Sequence, residues 1–203
     1  MTEENDLTFR IITLGDSNVG KTSIIKKYLF NSFDDESYAT VGIQFSFKVV
    51  TLSNNKNIRL KLIDTAGQEK YLSLSQSYFK NADGVLFVFS LDDKKSFEHV
   101  NYWIKSFEET RSDINNILIY LVGNKCDLKQ VIDQNLIDEL AKKIGHKYIA
   151  TSALNGNNIE NLFNEMDENF YKNYKPKSSQ SKFKIKNKNK GKSKCNLCSS
   201  NDL

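Results

Sequence analysis

Eight residues, Gly15-Asp16-Ser17-Asn18-Val19-Gly20-Lys21-Thr22, follow an alternating apolar segment, Thr8 to Leu14. They lead directly into a helical pattern carried by Ile24, Ile25, Tyr28 and Leu29. Strand, glycine loop and helix in that order form a cradle for nucleotide phosphates, because N–H groups of the turn and the helix start point at the phosphate oxygens. Lys21 adds a positive charge and the Thr22 hydroxyl can ligate Mg²⁺, while Gly15, Asp16, Ser17, Asn18, Val19, Gly20 and Ser23 complete the wall. Asn18 stands where glycine is frequent in such loops. Asparagine tolerates left-handed backbone angles better than most residues, so the loop is expected to keep its shape.

The rest of the pattern says what this unit is embedded in. Gly42 to Leu52 and Asn57 to Ile63 read as two strands joined by the turn cluster Ser53-Asn54-Asn55-Lys56, hence a hairpin. The apolar runs Gly84 to Leu91 and Ile117 to Gly123, with the shorter Lys147 to Ala150, suit strands buried on both faces. Helical patterns span Gln68 to Lys80, Lys94 to Arg111, Asp133 to Ile144 and Asn158 to Tyr174, with Ser96 or Asp93 and Asp133 as caps. This alternation predicts an α/β fold: a six-stranded, mostly parallel sheet with one antiparallel edge strand and helices on both faces. Ligands of such sheets gather at the carboxyl ends of the strands.

The 203 residues suffice for one domain and a tail, and their net charge of +4 conceals an asymmetry. Residues 171 to 203 hold ten lysines and one aspartate, which leaves the preceding body at −5. Expected, therefore, are a flexible segment 1–7, a globular domain 8–174 and a disordered polybasic tail 175–203. No apolar run, Val85 to Phe89 included, is long enough to span a bilayer, and the first residues are acidic rather than signal-like. Cys126, Cys195 and Cys198 do not form a disulfide framework. The expectation is a soluble, cytoplasmic monomer.

Three further motifs carry chemistry. Asp64-Thr65-Ala66-Gly67-Gln68-Glu69 follows the third strand: Asp64 can hold a Mg²⁺-bound water, Gly67 can offer its N–H to a γ-phosphate, and Gln68 can orient an attacking water. Asn124-Lys125-Cys126-Asp127 follows the fifth strand. The Asp127 carboxylate can accept two hydrogen bonds from guanine, a pairing adenine lacks; Asn124 can brace the loops and the Lys125 stem can lie over the base. At the sixth strand, Thr151, Ser152 and Ala153 stand where an N–H can reach the guanine O6. Tyr78, Phe79 and Trp103 read as packing aromatics.

With these motifs in this order, residues 8 to about 173 resemble the small GTPases of the Ras superfamily. Tyr38 to Phe45, Ser77 to Asp83 and Ser96 to Trp103 look most like the Rab branch of membrane-trafficking GTPases. The resemblance implies a P-loop small G domain that binds GTP or GDP with Mg²⁺. It further implies that Thr40 ligates the metal, beside Thr22 and Asp64, and senses the γ-phosphate, and that Phe33 packs against the guanine ring. It implies a switch that recruits effectors in its GTP state and depends on an exchange factor and a GTPase-activating protein. Two departures, Ile63 where tryptophan is usual and Lys70 where arginine is usual, fall in the family's effector region and leave the nucleotide chemistry intact.

The chain has three arginines, Arg10, Arg59 and Arg111, none expected in a loop facing the γ-phosphate, so slow intrinsic hydrolysis is expected. From Lys182 to Lys194 every second residue is lysine, with mostly small polar residues between, and Cys195 and Cys198 follow immediately. Prenylation or acylation of either cysteine plus the basic arm would make a two-signal anchor on the cytosolic face of an internal or plasma membrane. Yet Cys-Asn-Leu-Cys-Ser-Ser-Asn-Asp-Leu is neither a CaaX box nor a terminal cysteine pair. Zinc binding would need four ligands, and neither His99 nor His146 is near in sequence. Phe183 is the one aromatic among the lysines, so nucleic acid is not an expected partner. The alternative is a signalling or scaffold GTPase without a lipid, its tail meeting another acidic partner.

Overall fold

The computed structural model describes residues 7–34, 40, 42–67, 77–111, 117–144 and 147–173. Expectations for Gln68, for the rest of a helix from 68 to 76, for the segment before Leu7 and for the tail with Cys195 and Cys198 lie outside the described residues.

The strands are β1 (Thr8–Leu14), β2 (Ile43–Thr51), β3 (Asn57–Thr65), β4 (Gly84–Ser90), β5 (Leu118–Asn124) and β6 (Lys147–Ala150). They form one sheet in the order β2-β3-β1-β4-β5-β6. The pairing is parallel except between β2 and β3, as the hairpin requires. The helices are α1 (Lys21–Phe30), α2 (Lys94–Glu98), α3 (Val100–Thr110), α4 (Gln134–Ile144) and α5 (Ile159–Asn173).

Strand period sorts the core into two layers. In β4, Leu86 and Val88 join the layer beneath α1 and α5, while Val85, Phe87 and Phe89 join the layer beneath α3 and α4. All seven β4 residues are buried, which explains why the run reads as unbroken apolar sequence. Aromatic pairs fasten α5: Phe9 stacks on Phe170 at 4.0 Å and Tyr28 on Phe163 at 3.9 Å between ring centroids. Each such pair adds about 0.5–1.5 kcal/mol beyond the area it buries. On β2, by contrast, Phe45, Phe47 and Val49 point outward from an edge strand, the last two 61% and 62% exposed.

Two boundaries differ instructively from the sequence pattern. The single helix expected from Lys94 to Arg111 is two, broken at His99, whose N–H closes α2 on Lys95 O at 3.0 Å while its carbonyl receives Tyr102 N at 3.0 Å. Asp93, not Ser96, caps α2 by accepting Lys95 N at 3.0 Å. Ser96 turns inward instead, accepting Ser90 N and donating to Asp93 O. Strand β3 continues past Ile63 through Asp64 and Thr65, because both polar side chains find buried partners. Asp133 does cap α4, accepting Asn135 N at 3.0 Å.

Candidate nucleotide-binding site

The motifs meet at the carboxyl edge of the parallel strands, around a cavity of about 510 Å³. Ser17, Asn18, Gly20, Lys21, Thr22, Ser23, Phe33, Thr40, Gly67, Asn124, Lys125, Asp127 and Ala153 all line it. Gly15, Asp16, Val19, Asp64 and Ser152 stand behind that wall. Asp34, Leu128 and Leu154 also line it and were not singled out in the sequence, although the two leucines directly follow the base motifs. Both are about half exposed, and they extend an apolar rim around the base end.

The loop between β1 and α1 has the backbone its residues allow. Asn18 takes φ 63°, as expected of asparagine here. Gly20 takes φ 94°, and a Cβ on it would lie 2.2 Å from Asn124 Nδ2, so no side chain fits. Lys21 is 5% exposed and donates to Gly15 O at 2.9 Å and Asp16 O at 2.7 Å. Burial pushes its pKa down to about 8, against the opposing pull of Asp64 and Asp16.

Opposite Lys21, three oxygens from separate segments converge. Thr22 Oγ1 donates to Asp64 Oδ2 at 2.6 Å and lies 2.8 Å from Thr40 Oγ1. Behind them Thr13, which occupies a buried β1 position, donates to Asp64 Oδ1 at 3.2 Å. Burial raises the Asp64 pKa, opposed by the Thr22 hydrogen bond, the Lys21 charge, the Thr13 hydrogen bond and the Lys26 charge. A carboxylate and two hydroxyls are the hard oxygen donors that Mg²⁺ takes, so the residues fit that ion. Gly67 presses on the phosphate loop: a Cβ there would lie 2.3 Å from the Asp16 carbonyl and from Ser17 N.

At the base end, Asn124 ties three loops together. Its Nδ2 donates to Val19 O at 2.9 Å, and its Oδ1 accepts Ala153 N at 3.2 Å and Thr151 Oγ1 at 3.3 Å. Lys125 adopts φ 60°, an uncommon angle for lysine, and its carbonyl receives Leu128 N at 3.0 Å, closing the turn that carries Asp127. Ser152 Oγ donates to Asp127 Oδ1 and orients the carboxylate.

No arginine lines the cavity among the described residues. Arg10 pairs with Asp83 at 3.3 Å, Arg111 donates to Phe79 O and Ala82 O, and Arg59 sits across from Val49 on β3. Trp103 is 3% exposed, as a packing aromatic should be, yet it is also tied to the site, donating its indole N–H to Asp16 Oδ1 at 2.7 Å.

This sheet order, with the glycine loop Gly15 to Thr22 and the Asn124-Lys125-Cys126-Asp127 motif at its carboxyl edge, is that of the small P-loop GTPases. The Ras family model matches residues 10–172, and the chain belongs to that family. Its relatives carry Rab names. It is 40% identical over 167 residues to Ras-related protein Rab-11B of Dictyostelium discoideum, covering 81% of this chain and 74% of the relative. It is 37% identical over 160 residues to Ras-related protein Rab-8B of the same organism, covering 78% and 77%. It is 34% identical to Ras-related protein RABA4b of Arabidopsis thaliana over 179 residues, 87% of this chain and 78% of that one. The chain is accordingly a Rab-like, GTP-hydrolysing small G protein.

Proposed function

We propose that this chain is a GTP/GDP switch in vesicle trafficking, in which Asp127 selects guanine and Thr40 and Gly67 report the γ-phosphate. The observation that carries the reading is that Asp127, oriented by Ser152, faces the same cavity as Lys21 and Thr22. One ligand spanning it meets a base reader at one end and a phosphate cradle at the other. Asp127 accepts from guanine N1–H and N2–H, Phe33 and the Lys125 stem flank the ring, and the segment from Thr151 to Ala153 lies on the O6 side.

At the phosphate end, Lys21 and the N–H groups of residues 15 to 23 hold the oxygens and stabilise the charge that spreads over them as the terminal bond breaks. Thr22, Thr40 and Asp64 would hold Mg²⁺, which would supply charge neutralisation at this end of the cavity. Gln68 orients the attacking water. With no arginine among the described residues lining the cavity, turnover is slow, and a GTPase-activating protein that inserts one would raise it about 10³–10⁵-fold. Loss of the γ-phosphate frees Thr40 and Gly67 and loosens the two segments they hold, and an exchange factor then releases GDP. Effectors read the GTP state.

The tail lysines 182 to 194, with a lipid on Cys195, Cys198 or both, hold the protein on a cytosolic membrane face. Among the described residues, no helix is long and apolar enough to cross a membrane. Intact mass of protein from its native cells is expected to exceed the sequence mass by one or two lipids, and an unmodified mass would remove the anchor. Asp127→Asn tests base reading. It is expected to cost at least about a hundredfold in GTP affinity and to gain affinity for xanthosine triphosphate, because the amide now donates where it accepted. An unchanged base preference overturns the assignment.

A further inference from the structure

Asp16 belongs to the phosphate loop by its backbone and to a different part of the molecule by its side chain. Its carbonyl accepts Lys21 Nζ at 2.7 Å, and its main chain packs against Gly67. Its carboxylate, only partly exposed, turns to the junction of α2 and α3. There Trp103 Nε1 donates to Oδ1 at 2.7 Å, and His99 Nδ1 lies 3.0 Å from Oδ1 and 3.1 Å from Oδ2. His99 stands at the helix break and Trp103 one turn further on in α3, so the two donors, four residues apart, share one face of the helix and meet the same carboxylate. Tyr102 braces both rings, stacked on His99 at 5.3 Å and edge-on to Trp103 at 5.5 Å.

A buried indole N–H needs an acceptor, and this one takes a carboxylate, which makes the bond charge-assisted and among the stronger kind. Elsewhere the loop is secured by β1, by Lys21 Nζ on the Gly15 and Asp16 carbonyls and by the bond from Asn124 to Val19 O. The Asp16 carboxylate adds an anchor on the outer side, toward α2 and α3. A loop less firmly held there would present its N–H groups to the phosphates in several orientations, and preorganisation of those donors is what gives such a cradle its affinity.

We infer that Trp103 and His99 are positioning residues of the phosphate loop, which through Asp16 hold it against Gly67 and set the rate at which bound nucleotide leaves. The inference rests on the nucleotide reading of the site and adds to it a control point on the far side of the loop. It also gives the chain's single tryptophan a role besides packing.

The test is release of a fluorescent GDP analogue from the full-length protein into excess unlabelled GDP, with thermal melting measured in parallel. Trp103→Phe keeps most of the ring volume and removes the donor; release is expected about tenfold faster. Asp16→Ala is expected to match or exceed it, and the double variant Asp16→Ala/Trp103→Phe to be no faster than Asp16→Ala alone. Asp16→Asn keeps an acceptor oxygen for the indole and is expected to restore release to within about threefold of wild type. His99→Ala, at an exposed position where folding is not at risk, is expected to speed release about threefold. Phe107→Leu, buried on the same helix without a bond to the loop, should lower the melting temperature and leave release unchanged.

Additive effects in the double variant, failure of Asp16→Asn to restore slow release, or release within twofold of wild type for both His99→Ala and Trp103→Phe would each overturn the inference. If Trp103→Phe does not fold, the His99→Ala and Asp16→Ala pair decides by the same criterion of additivity. A failure of the nucleotide reading itself is distinguishable, since wild-type protein would then not retain the GDP analogue at all.

Discussion

Replacing Asn124 with alanine withdraws one amide from three loops at once, and the structure gives the size of the effect. Asn124 is 2% exposed, and Val19, Thr151 and Ala153 are as deeply enclosed. Without the amide, the Val19 carbonyl and the Ala153 N–H have no partner in a region water hardly reaches. Each such stranded group costs about 1–3 kcal/mol, while the Thr151 hydroxyl can rotate to another acceptor and adds little. A loss near 4 kcal/mol corresponds to a drop of about 8–16 °C in melting temperature for a domain of this size. The phosphate loop and the base loops would also lose their common tie, so GDP should dissociate faster by at least about tenfold. Calorimetry of the GDP-loaded protein and nucleotide-release kinetics read both quantities. A melting temperature lowered by less than about 3 °C with unchanged release would mean that the backbone alone fixes these loops, and the argument from the amide would be wrong.

Asp167 lies on the buried stripe of α5, its Oδ1 without a hydrogen-bond partner among the described residues, and burial pushes its pKa up to about 7, with Lys48 opposing and Glu168 reinforcing. An unfolded aspartate releases its proton near pH ~3.9, so between roughly pH 4 and 7 the folded chain holds a proton that the unfolded chain has lost. Stability is therefore expected to fall as pH rises through that window, by about 4 kcal/mol at most, with the full penalty present above pH ~7. Asp167→Asn should melt higher than wild type at pH 8 by a margin that shrinks toward pH 5, and equal margins at both would refute the assignment. Gln68→Leu should slow single-turnover GTP hydrolysis about 10–100-fold while leaving GDP affinity alone, and unchanged hydrolysis would take Gln68 out of the mechanism.

What could be read from the sequence was whatever is local. The loop from Gly15 to Thr22, the Asp64 motif and the Asn124 motif are each contained within a few residues, and apolar runs located the strands because β4 and β5 are buried on both faces. Contacts between distant positions left no such mark. The bond from Trp103 to Asp16 spans 87 positions, and a tryptophan on an apolar helical stripe looks the same whether or not its N–H has found a carboxylate. Polar residues misled for the same reason. Asp64 and Thr65 seem to end a strand at Ile63, yet they extend it, because Thr13 and Thr22 supply Asp64 with bonds and Thr65 donates to Thr13 O at 2.7 Å. His99 gives no breaking signal of its own; the break in the helix coincides with its bond to Asp16.

The hairpin's outer strand has a cost that follows from its position. One side of β2 is paired to β3 and the other, which no strand among the described residues covers, offers main-chain donors and acceptors to any chain that comes near, with the rings of Phe45 and Phe47 beside them. Lys61 crosses the Phe45 ring at 4.5 Å and the Tyr78 ring meets it at 5.2 Å, while Phe47 and Val49 stay more than half exposed. An uncovered border of this kind is adhesive toward copies of itself. Any protein that docks along β2 would therefore act also as a guardian against clumping, and a cell that made this chain in excess of such companions would be expected to lose part of it to aggregates.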